Sequence, residues 1–315
     1  MAFLDAVSTR EIDMDKRLGM LAMCLAMVFL PIGDAISKSL TAYAAPFEVT
    51  VWRTVAQAAF FLPGAVLLRR HFRGSILSLG SLLSACLILT VTLSLITAFA
   101  SMPIATAIAI FFVEPLLLTL LAGPFLGEVP GWRRYAAVGV GLIGALVVIR
   151  PNFATFGPVV LLPLLAALAY AMNMIVMRKS TRTRSALSFQ FGASMIAGGL
   201  SLLAVLLAQG LDIDTTGLAT LPEWGPWALA SAGALALVTF MMITFAFSKV
   251  EASLLAPFQY LEIVGATAVG YLFFNEVPDG MTLFGTAIIL TSGAYVFYRE
   301  RVRGVDGAAT RPSER

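Results

Sequence analysis

The feature that most constrains this chain is a series of apolar runs, which follow one another along almost its whole length. Short clusters of charged, polar, Gly or Pro residues separate the runs. A helix needs about 20 apolar residues to cross a hydrocarbon core of roughly 30 Å, so each run is long enough to span a membrane. The runs predict ten helices, near residues 18–39, 47–68, 76–98, 103–122, 134–150, 157–177, 186–208, 226–247, 252–273 and 281–298.

The composition excludes a water-soluble fold, because 59% of the residues are hydrophobic and only 12% are charged. In lipid, only helices and closed barrels satisfy their backbone hydrogen bonds. Continuous apolar runs favour helices, whereas barrel strands alternate between apolar and polar residues. The predicted fold class is therefore an all-α polytopic membrane protein.

The basic residues predict how the chain is oriented. All but three of the 21 Lys and Arg residues fall in segments that share one side of the membrane. The three exceptions are Lys38, Arg53 and Arg150. In the longest loop on the other side, residues 209–227, all the charged residues are acidic. Because basic residues are retained on the cytoplasmic side, both termini are expected to be cytoplasmic, in a bacterial inner (plasma) membrane.

An internal repeat divides the chain into two halves. Shifting the sequence by 148 residues aligns residues 96–102 with 244–250, Glu114 with Glu262, and residues 128–130 with 276–278. One five-helix unit is therefore present twice, and because five is odd, the two copies are expected to have inverted topology. Inverted repeats are the architecture of many secondary transporters, which makes transport the leading hypothesis.

The predicted organisation has four segments. They are a cytoplasmic N-terminal segment (1–17), a first five-helix repeat (18–151), a second five-helix repeat (152–300) and a cytoplasmic tail (301–315).

Two stretches resemble a known family. FFVEPLLLTLLAGPFLGEVPGWRRYAAVGVGLIGALVVIRP, residues 111–151, resembles the closing helices of a repeat in the EamA branch of the drug/metabolite transporter superfamily, and APFQYLEIVGATAVGYLFFNEVPDG, residues 256–280, resembles its second-half counterpart. The resemblance implies ten helices and a central cavity between the halves. It also implies substrates such as amino acids, nucleosides, riboflavin, S-adenosylmethionine or toxic amphiphiles. Since Ile263 replaces Pro115 in the second half, the ninth helix is expected to lack the kink expected in the fourth.

Glu114 and Glu262 are the leading candidates for a central site, since an ionisable group inside hydrocarbon costs about 2.5 to 3.5 kcal/mol on insertion scales. Both lie about midway along predicted helices, at matching places in the repeats. Each carboxylate is expected to bind a proton or an amine, or else to pair with polar neighbours as helix glue. Gln57, Gln259 and Tyr260 add hydrogen-bonding groups at similar depth.

Two gates are predicted on either side of this site. Asp34 and Lys38 lie one turn apart on the first helix, and Arg53 on the second helix lies at similar depth. Asp34 with Arg53 or Lys38 is interpreted as an outer gate; the alternative is a static ion pair with a snorkelling lysine. Asn173 and Gln190, at roughly corresponding places in the second half, are the candidate inner gate.

The sequence predicts a secondary-active carrier that works by alternating access and takes up a riboflavin-like or amino-acid-like metabolite. An efflux carrier for amino acids or amphiphilic drugs and a lipid flippase are the alternatives. Trp52, Phe99, Phe111, Phe112 and Phe258, near the depth of the polar groups, favour a ring-bearing or zwitterionic solute.

Other classes find little support. The sequence has no metal-ligand cluster, nucleotide-binding loop or nucleophile motif, so neither an enzyme nor a cofactor is expected. Nucleic acid is not an expected partner, because the basic residues sit in short loops rather than on one face. The expected partners are a small-molecule substrate and the lipid bilayer. Proton coupling, and whether the protein is a monomer or a homodimer, stay open.

Overall fold

The structure, a computed structural model, describes residues 2–67, 70, 72–127, 132–211, 217, 220–250, 255 and 258–309. In this part of the chain all regular secondary structure is helical. The α-helices are α1 Ala2–Leu40, α2 Pro46–Leu67, α3 Leu79–Ser101, α4 Ile104–Phe111, α5 Glu114–Leu126, α6 Trp132–Phe156, α7 Leu162–Ser180, α8 Ala186–Gly210, α9 Gly225–Lys249, α10 Leu261–Phe274 and α11 Gly280–Ala309. A 3-10 helix, Gly157–Leu161, joins α6 to α7.

Six segments of the described chain are long and apolar enough to cross a membrane. They are Lys16–Leu40, Leu79–Ser101, Ile104–Leu126, Tyr135–Ser180, Ala186–Gly210 and Gly225–Ala246. The segment Tyr135–Ser180 has 46 residues, which is enough for two crossings. The prediction of an all-helical protein with several membrane-spanning helices is confirmed, while the number of ten stays a prediction.

The fourth predicted helix, 103–122, is two helices in the structure. α4 ends at Phe111, residues 112 and 113 form a turn, and α5 starts at Glu114. Pro115 has no N–H group and so cannot bond to the carbonyl of Phe111, which interrupts the helical ladder at this point.

The expectation that the ninth predicted helix, 252–273, lacks such an interruption is wrong. Residues 258 and 259 are helical, Tyr260 is in a turn, and α10 starts at Leu261; residues 251–254, 256 and 257 lie outside the described part of the chain. The backbone N–H of Ile263 donates to the carbonyl of Tyr260 at 3.2 Å, three residues back instead of four. The second repeat therefore breaks its helix without a proline at the position that corresponds to Pro115.

Helix ends in the two halves match with the spacing of the sequence repeat. α3 is capped at Met102 and α9 at Val250, both extended, and these two residues are 148 positions apart. α5 ends at Gly127 with a φ of 72°, and α10 ends at Asn275 with a φ of 54°, again 148 positions apart. Residues 128–130, one side of the third sequence match, lie outside the described residues.

The two halves pack mainly on each other. α1 packs on α9, and α7, the counterpart of α1, packs on α3, the counterpart of α9. The pairs α2 with α8 and α6 with α11 join equivalent helices of the two halves. Each contact between the halves is therefore matched by the contact between the two counterpart helices, as expected for a twofold relation between the repeats.

A glycine in α9 allows this helix to pack closely against α2 as well. At Gly233 of α9, an added Cβ atom would lie 2.6 Å from the Ala56 Cβ atom and 2.7 Å from the Gln57 backbone nitrogen, both on α2. α9 can therefore approach the α2 backbone next to the cavity described below only because residue 233 has no side chain.

Candidate functional site

A cavity of about 140 Å³ lies between the two halves. Residues of α1, α2, α3 and α9, Tyr170 of α7, and residues at the two helix breaks form its walls. Six of the polar side chains that the sequence singles out line this cavity: Asp34, Arg53, Gln57, Glu114, Gln259 and Glu262.

The helix breaks place two carboxylates at the cavity. Glu114 is the first residue of α5 and Glu262 is the second residue of α10, and both are buried, with 9% and 7% of their surface exposed. A helix N-terminus carries partial positive charge, which favours a carboxylate in the first turn. The same local structure, repeated in each half, therefore brings both glutamates to one site.

Neither glutamate carboxylate has a hydrogen-bond partner among the described residues. Asp34 and Glu114 both act electrostatically on Glu262, so acidic side chains of the two repeats come together at this cavity. Like charges in such a site repel, and a bound proton or cation relieves the repulsion. Gln57, Gln259 and Tyr170 line the same cavity, so both roles of the carboxylates, binding a proton or an amine and pairing with polar neighbours as helix glue, stay predictions.

Asp34 of α1 and Arg53 of α2 both line the cavity, and their opposite charges attract each other. Asp34 Oδ2 and Arg53 Nε are both buried without a hydrogen-bond partner. Buried polar atoms without partners are rare in proteins, and those at a cavity mark places where water or a ligand binds. Arg53 balances one of the three acidic groups.

Of the three auxiliary polar residues, Gln57 and Gln259 line the cavity and Tyr260 does not. The Tyr260 ring packs against Phe112, with ring centroids 5.8 Å apart, and its hydroxyl is buried without a partner. That hydroxyl lies close to Gly293 of α11, where a Cβ atom would be 2.5 Å away. Tyr260 therefore packs at the helix break, outside the cavity lining.

Lys38 does not pair with Asp34. Its Nζ atom forms an ion pair with Glu276, which follows α10, and donates to the carbonyl of Met102 at 2.8 Å. Of the two basic partners that the sequence proposed for Asp34, Arg53 is the one at the cavity. A gating role for Asp34, Lys38 or Arg53 stays a prediction.

The two candidate inner-gate residues lie away from the cavity. Asn173 of α7 is buried, and its Oδ1 atom accepts a hydrogen bond from Ser84 Oγ of α3 at 2.6 Å. Gln190 of α8 is partly exposed. The structure therefore places Asn173 as a link between α7 and α3, and an inner gate formed with Gln190 stays a prediction.

Aromatic rings make up much of the cavity wall. Of the aromatic residues that the sequence proposed, Phe99, Phe111 and Phe112 line it, and Trp52 packs instead with Leu40. Sequence reasoning missed three further aromatic wall residues, which are Phe29, Tyr170 and Phe240.

Tyr170 joins the aromatic wall to the acidic groups. Its ring meets Phe111 edge to face at 5.7 Å, and its hydroxyl lies in the field of both Glu114 and Glu262. A tyrosine in an apolar helix gives no distinguishing signal in sequence. The cavity thus combines acidic side chains with aromatic faces.

The two halves of the chain match the same family model. The model of the EamA-like transporter family matches residues 17–150 and again residues 157–298. The chain therefore belongs to the EamA-like transporter family, within the drug/metabolite transporter superfamily. It is a membrane transporter of small molecules, and membership of a transporter family points away from an enzyme. The boundaries of the four segments given above stay predictions.

Several bacterial transporters are similar to this chain. The S-adenosylmethionine uptake transporter of Rickettsia conorii is 31% identical over 277 residues, which are 88% of this chain and 91% of that one. The riboflavin transporter of Rhizobium johnstonii is 29% identical over 212 residues, 66% of each chain. The pseudopaline exporter CntI of Pseudomonas aeruginosa is 29% identical over 196 residues, 62% of this chain and 66% of that one.

A solved crystal structure shares the fold. It superposes with a TM-score of 0.57 at 18% sequence identity and covers 92% of this chain and 98% of the other. At that identity the likeness concerns the fold alone.

Proposed function

We propose that this chain is a secondary carrier whose central cavity binds an organic cation with a planar ring, and that S-adenosylmethionine is the first substrate to test. The observation that carries the proposal is the cavity itself. It gathers three carboxylates, one guanidinium and a wall of aromatic rings. Glu114 and Glu262 are the proposed counter-charges for the substrate.

The charge balance supports a cationic substrate. Arg53 offsets one of the three carboxylates, and the remaining acidic charge has no basic neighbour among the cavity-lining residues. The sulfonium of S-adenosylmethionine is a permanent cation, and its adenine is a planar ring that suits the aromatic wall. Riboflavin, whose type was one of the two expected from sequence beside amino-acid-like metabolites, offers the ring but no cation.

The comparisons support the same order. Relatives named S-adenosylmethionine uptake transporters align over 88% of this chain, and those named riboflavin transporters over 66% or less. Uptake is accordingly the direction that we propose. An exporter remains the second candidate, because the relative from Pseudomonas aeruginosa is named as one.

We further propose that ten helices cross the bacterial inner membrane as two inverted repeats, with both termini in the cytoplasm. The exchange of helix pairs between the halves and the break before each glutamate support this arrangement. Such repeats expose one central site to the two sides of the membrane in turn.

Protons are the proposed occupants of the glutamates when no substrate is bound. Glu114 and Glu262 are buried at the cavity, and Asp34 adds further negative charge near Glu262. A proton and an organic cation would then compete for the same carboxylates. This competition predicts that a proton leaves the site as the substrate binds.

The test is uptake of labelled S-adenosylmethionine into proteoliposomes that contain the purified protein. The proposal expects saturable uptake, with weaker competition from S-adenosylhomocysteine, which has the same ring but a neutral thioether. Riboflavin should compete weakly as well. A thioether that competes as well as the sulfonium would contradict the cation-binding role of the cavity.

Variants locate the site within the molecule. Glu114→Gln and Glu262→Gln keep the size of the side chain and remove its charge, so uptake should fall about 10- to 100-fold. Glu223→Gln is the matched control, because Glu223 is exposed and does not line the cavity. Uptake that survives both cavity substitutions would overturn the assignment of these carboxylates.

A further inference from the structure

We propose that Glu276 is a functional residue of the transport cycle, because it forms with Lys38 a clamp that closes the cavity on its extracytoplasmic side. The inference rests on the proposed carrier function and topology. It assigns the outer gate to a pair that joins the two repeats, in place of the Asp34 cluster that the sequence suggested.

Both oxygens of the Glu276 carboxylate contact the first repeat. Oε1 forms the ion pair with Lys38 of α1, and Oε2 accepts a hydrogen bond from the backbone N–H of Ile104 at 3.1 Å. Ile104 is the first residue of α4, so one side chain of the second repeat holds the start of one helix and the end of another.

Lys38 is held from three directions. Its Nζ atom contacts Glu276, donates to the carbonyl of Met102 at 2.8 Å, and lies 5.2 Å from the centroid of the Phe274 ring. Met102 caps α3 and Phe274 is the last residue of α10. The clamp therefore ties α1, the α3–α4 connection and the end of α10 at one point.

The clamp lies directly beyond the cavity. Lys38 is four residues after Asp34 on α1, which puts the two side chains on one face about one helical turn apart. Asp34 lines the cavity, and Lys38 does not. In the proposed topology this turn leads outward, so a solute from outside must pass the clamp to reach the glutamates.

α10 connects the clamp mechanically to the central site. Glu262 stands in its first turn and Glu276 follows two residues after its last residue. A helix of 14 residues spans roughly 21 Å and moves as one piece. A shift of Glu262 on binding or releasing a cation is thereby passed on to the clamp.

The ion pair is suited to open and close. The Lys38 and Glu276 side chains retain 13% and 18% of their exposure, so water can solvate both charges once they separate. A fully buried pair would leave two unsolvated charges on opening.

The experiment measures access to the cavity and needs no substrate. Cys24 and Cys86, the two natural cysteines, are replaced by serine, and Thr239→Cys provides one thiol inside the cavity. A membrane-impermeant maleimide is then applied to intact cells. The labelling rate of this single-cysteine protein, which keeps Lys38 and Glu276 (the closed pair), is compared with the rates after the further substitutions Glu276→Gln and Lys38→Met.

We expect each variant to raise labelling from outside about tenfold, since an unpaired partner favours the solvated, open form. Labelling in inside-out vesicles should fall at the same time, because the two open forms exclude each other. The exposed Glu223→Gln substitution is the control and should change neither rate.

The exchanged pair, Lys38→Glu with Glu276→Lys, sharpens the test. It restores the ion pair, but it places a cation at the Ile104 N–H and an anion at the Met102 carbonyl. Labelling should therefore fall between that of the closed pair and that of the single variants.

Unchanged outside labelling in properly inserted Glu276→Gln protein would overturn the clamp. A rise from both sides of the membrane would do the same, because it would indicate general loosening. Absence of S-adenosylmethionine transport would leave this result intact, so failure of the substrate proposal and failure of the clamp are distinguishable.

Discussion

The two repeats reach the same local structure at their glutamates with different sequences. In the first, Pro115 follows Glu114 directly and accounts for the end of one helix and the start of the next. In the second, Ile263 stands in the place of Pro115, and the chain still turns at Tyr260 before α10 begins. The second repeat is thus broken at the matching place without a proline at the position of Pro115, and its nearest proline, Pro257, precedes the turn by three residues.

The polar lining of the cavity is less equal. The first repeat supplies Asp34, Arg53 and Gln57 from α1 and α2, and the equivalent helices α7 and α8 of the second repeat supply only Tyr170. The paired glutamates follow the repeat, while the charges around them depart from it. The duplicated helices therefore carry unequal side chains around the paired glutamates.

The glutamates test the symmetric part of this comparison and should give the largest effect. Glu114→Gln and Glu262→Gln should each lower kcat/KM for uptake about 10- to 100-fold, the loss expected when a charged partner in a cavity is neutralised. Initial uptake rates over a range of substrate concentrations measure the loss. If one variant keeps full activity, the two repeats do not share the site equally.

Gly233 tests whether the helix contacts of the repeats are equivalent. Its counterpart 148 residues earlier is Ala85, which is fully buried in α3, so the first repeat accommodates a methyl group. Gly233→Ala should nevertheless destabilise the protein by about 1 to 3 kcal/mol, because α2 leaves no space for it. Thermal unfolding in detergent measures the loss.

Gly199→Ala is the matched control for Gly233. Gly199 lies within α8, and nothing stands within 4 Å of an added Cβ atom there. Its substitution should leave the unfolding temperature unchanged or raise it slightly, since alanine favours a helix. Equal unfolding temperatures for the two variants would show that the close approach of α9 to α2 contributes nothing to stability.

Pro115 tests the role of proline directly. Because α10 starts without one, Pro115→Ala should keep the break, alter the free energy of unfolding by less than about 1 kcal/mol and alter uptake less than about threefold. Loss of uptake in a folded Pro115→Ala protein would show that the first repeat needs the proline that the second lacks.

The helix ends test the smallest difference between the repeats. Gly127 has a φ of 72° and open space around it, so Gly127→Ala should cost about 1 kcal/mol through the backbone alone. Asn275 tolerates its φ of 54°, and Asn275→Gly should change the free energy of unfolding by less than about 0.5 kcal/mol. Unfolding temperatures that shift equally would contradict this ranking.

The sequence was sufficient for the helical fold and for the charged side chains that line the cavity, and the reason lies in the cost of burying charge. Glu114 and Glu262 stand out in apolar runs, as do Asp34 and Arg53, because a charged group in hydrocarbon is expensive and therefore rare. The repeat then pairs the two glutamates without any structural information. These four residues line the cavity.

What the sequence could not supply depends on tertiary contacts. The partner of Lys38 is Glu276, 238 residues away, and the nearby Asp34 seemed the more economical choice. Glu276 was visible as one member of the repeat match with Glu128, but no pattern indicated what it contacts. Ile263 in the place of Pro115 gave no indication of the break before α10, and the apolar context of Tyr170 gave no indication of its place at the cavity.

The short connection between the repeats has a consequence for how the protein is made. α6 passes into α7 through the five residues Gly157–Leu161, where Gly157 adopts a φ of 69°. A 3-10 helix of that length reaches only about 10 Å, far less than the thickness of a bilayer. In the proposed topology α6 and α7 therefore enter the membrane as one hairpin, and the orientation of the first repeat determines that of the second.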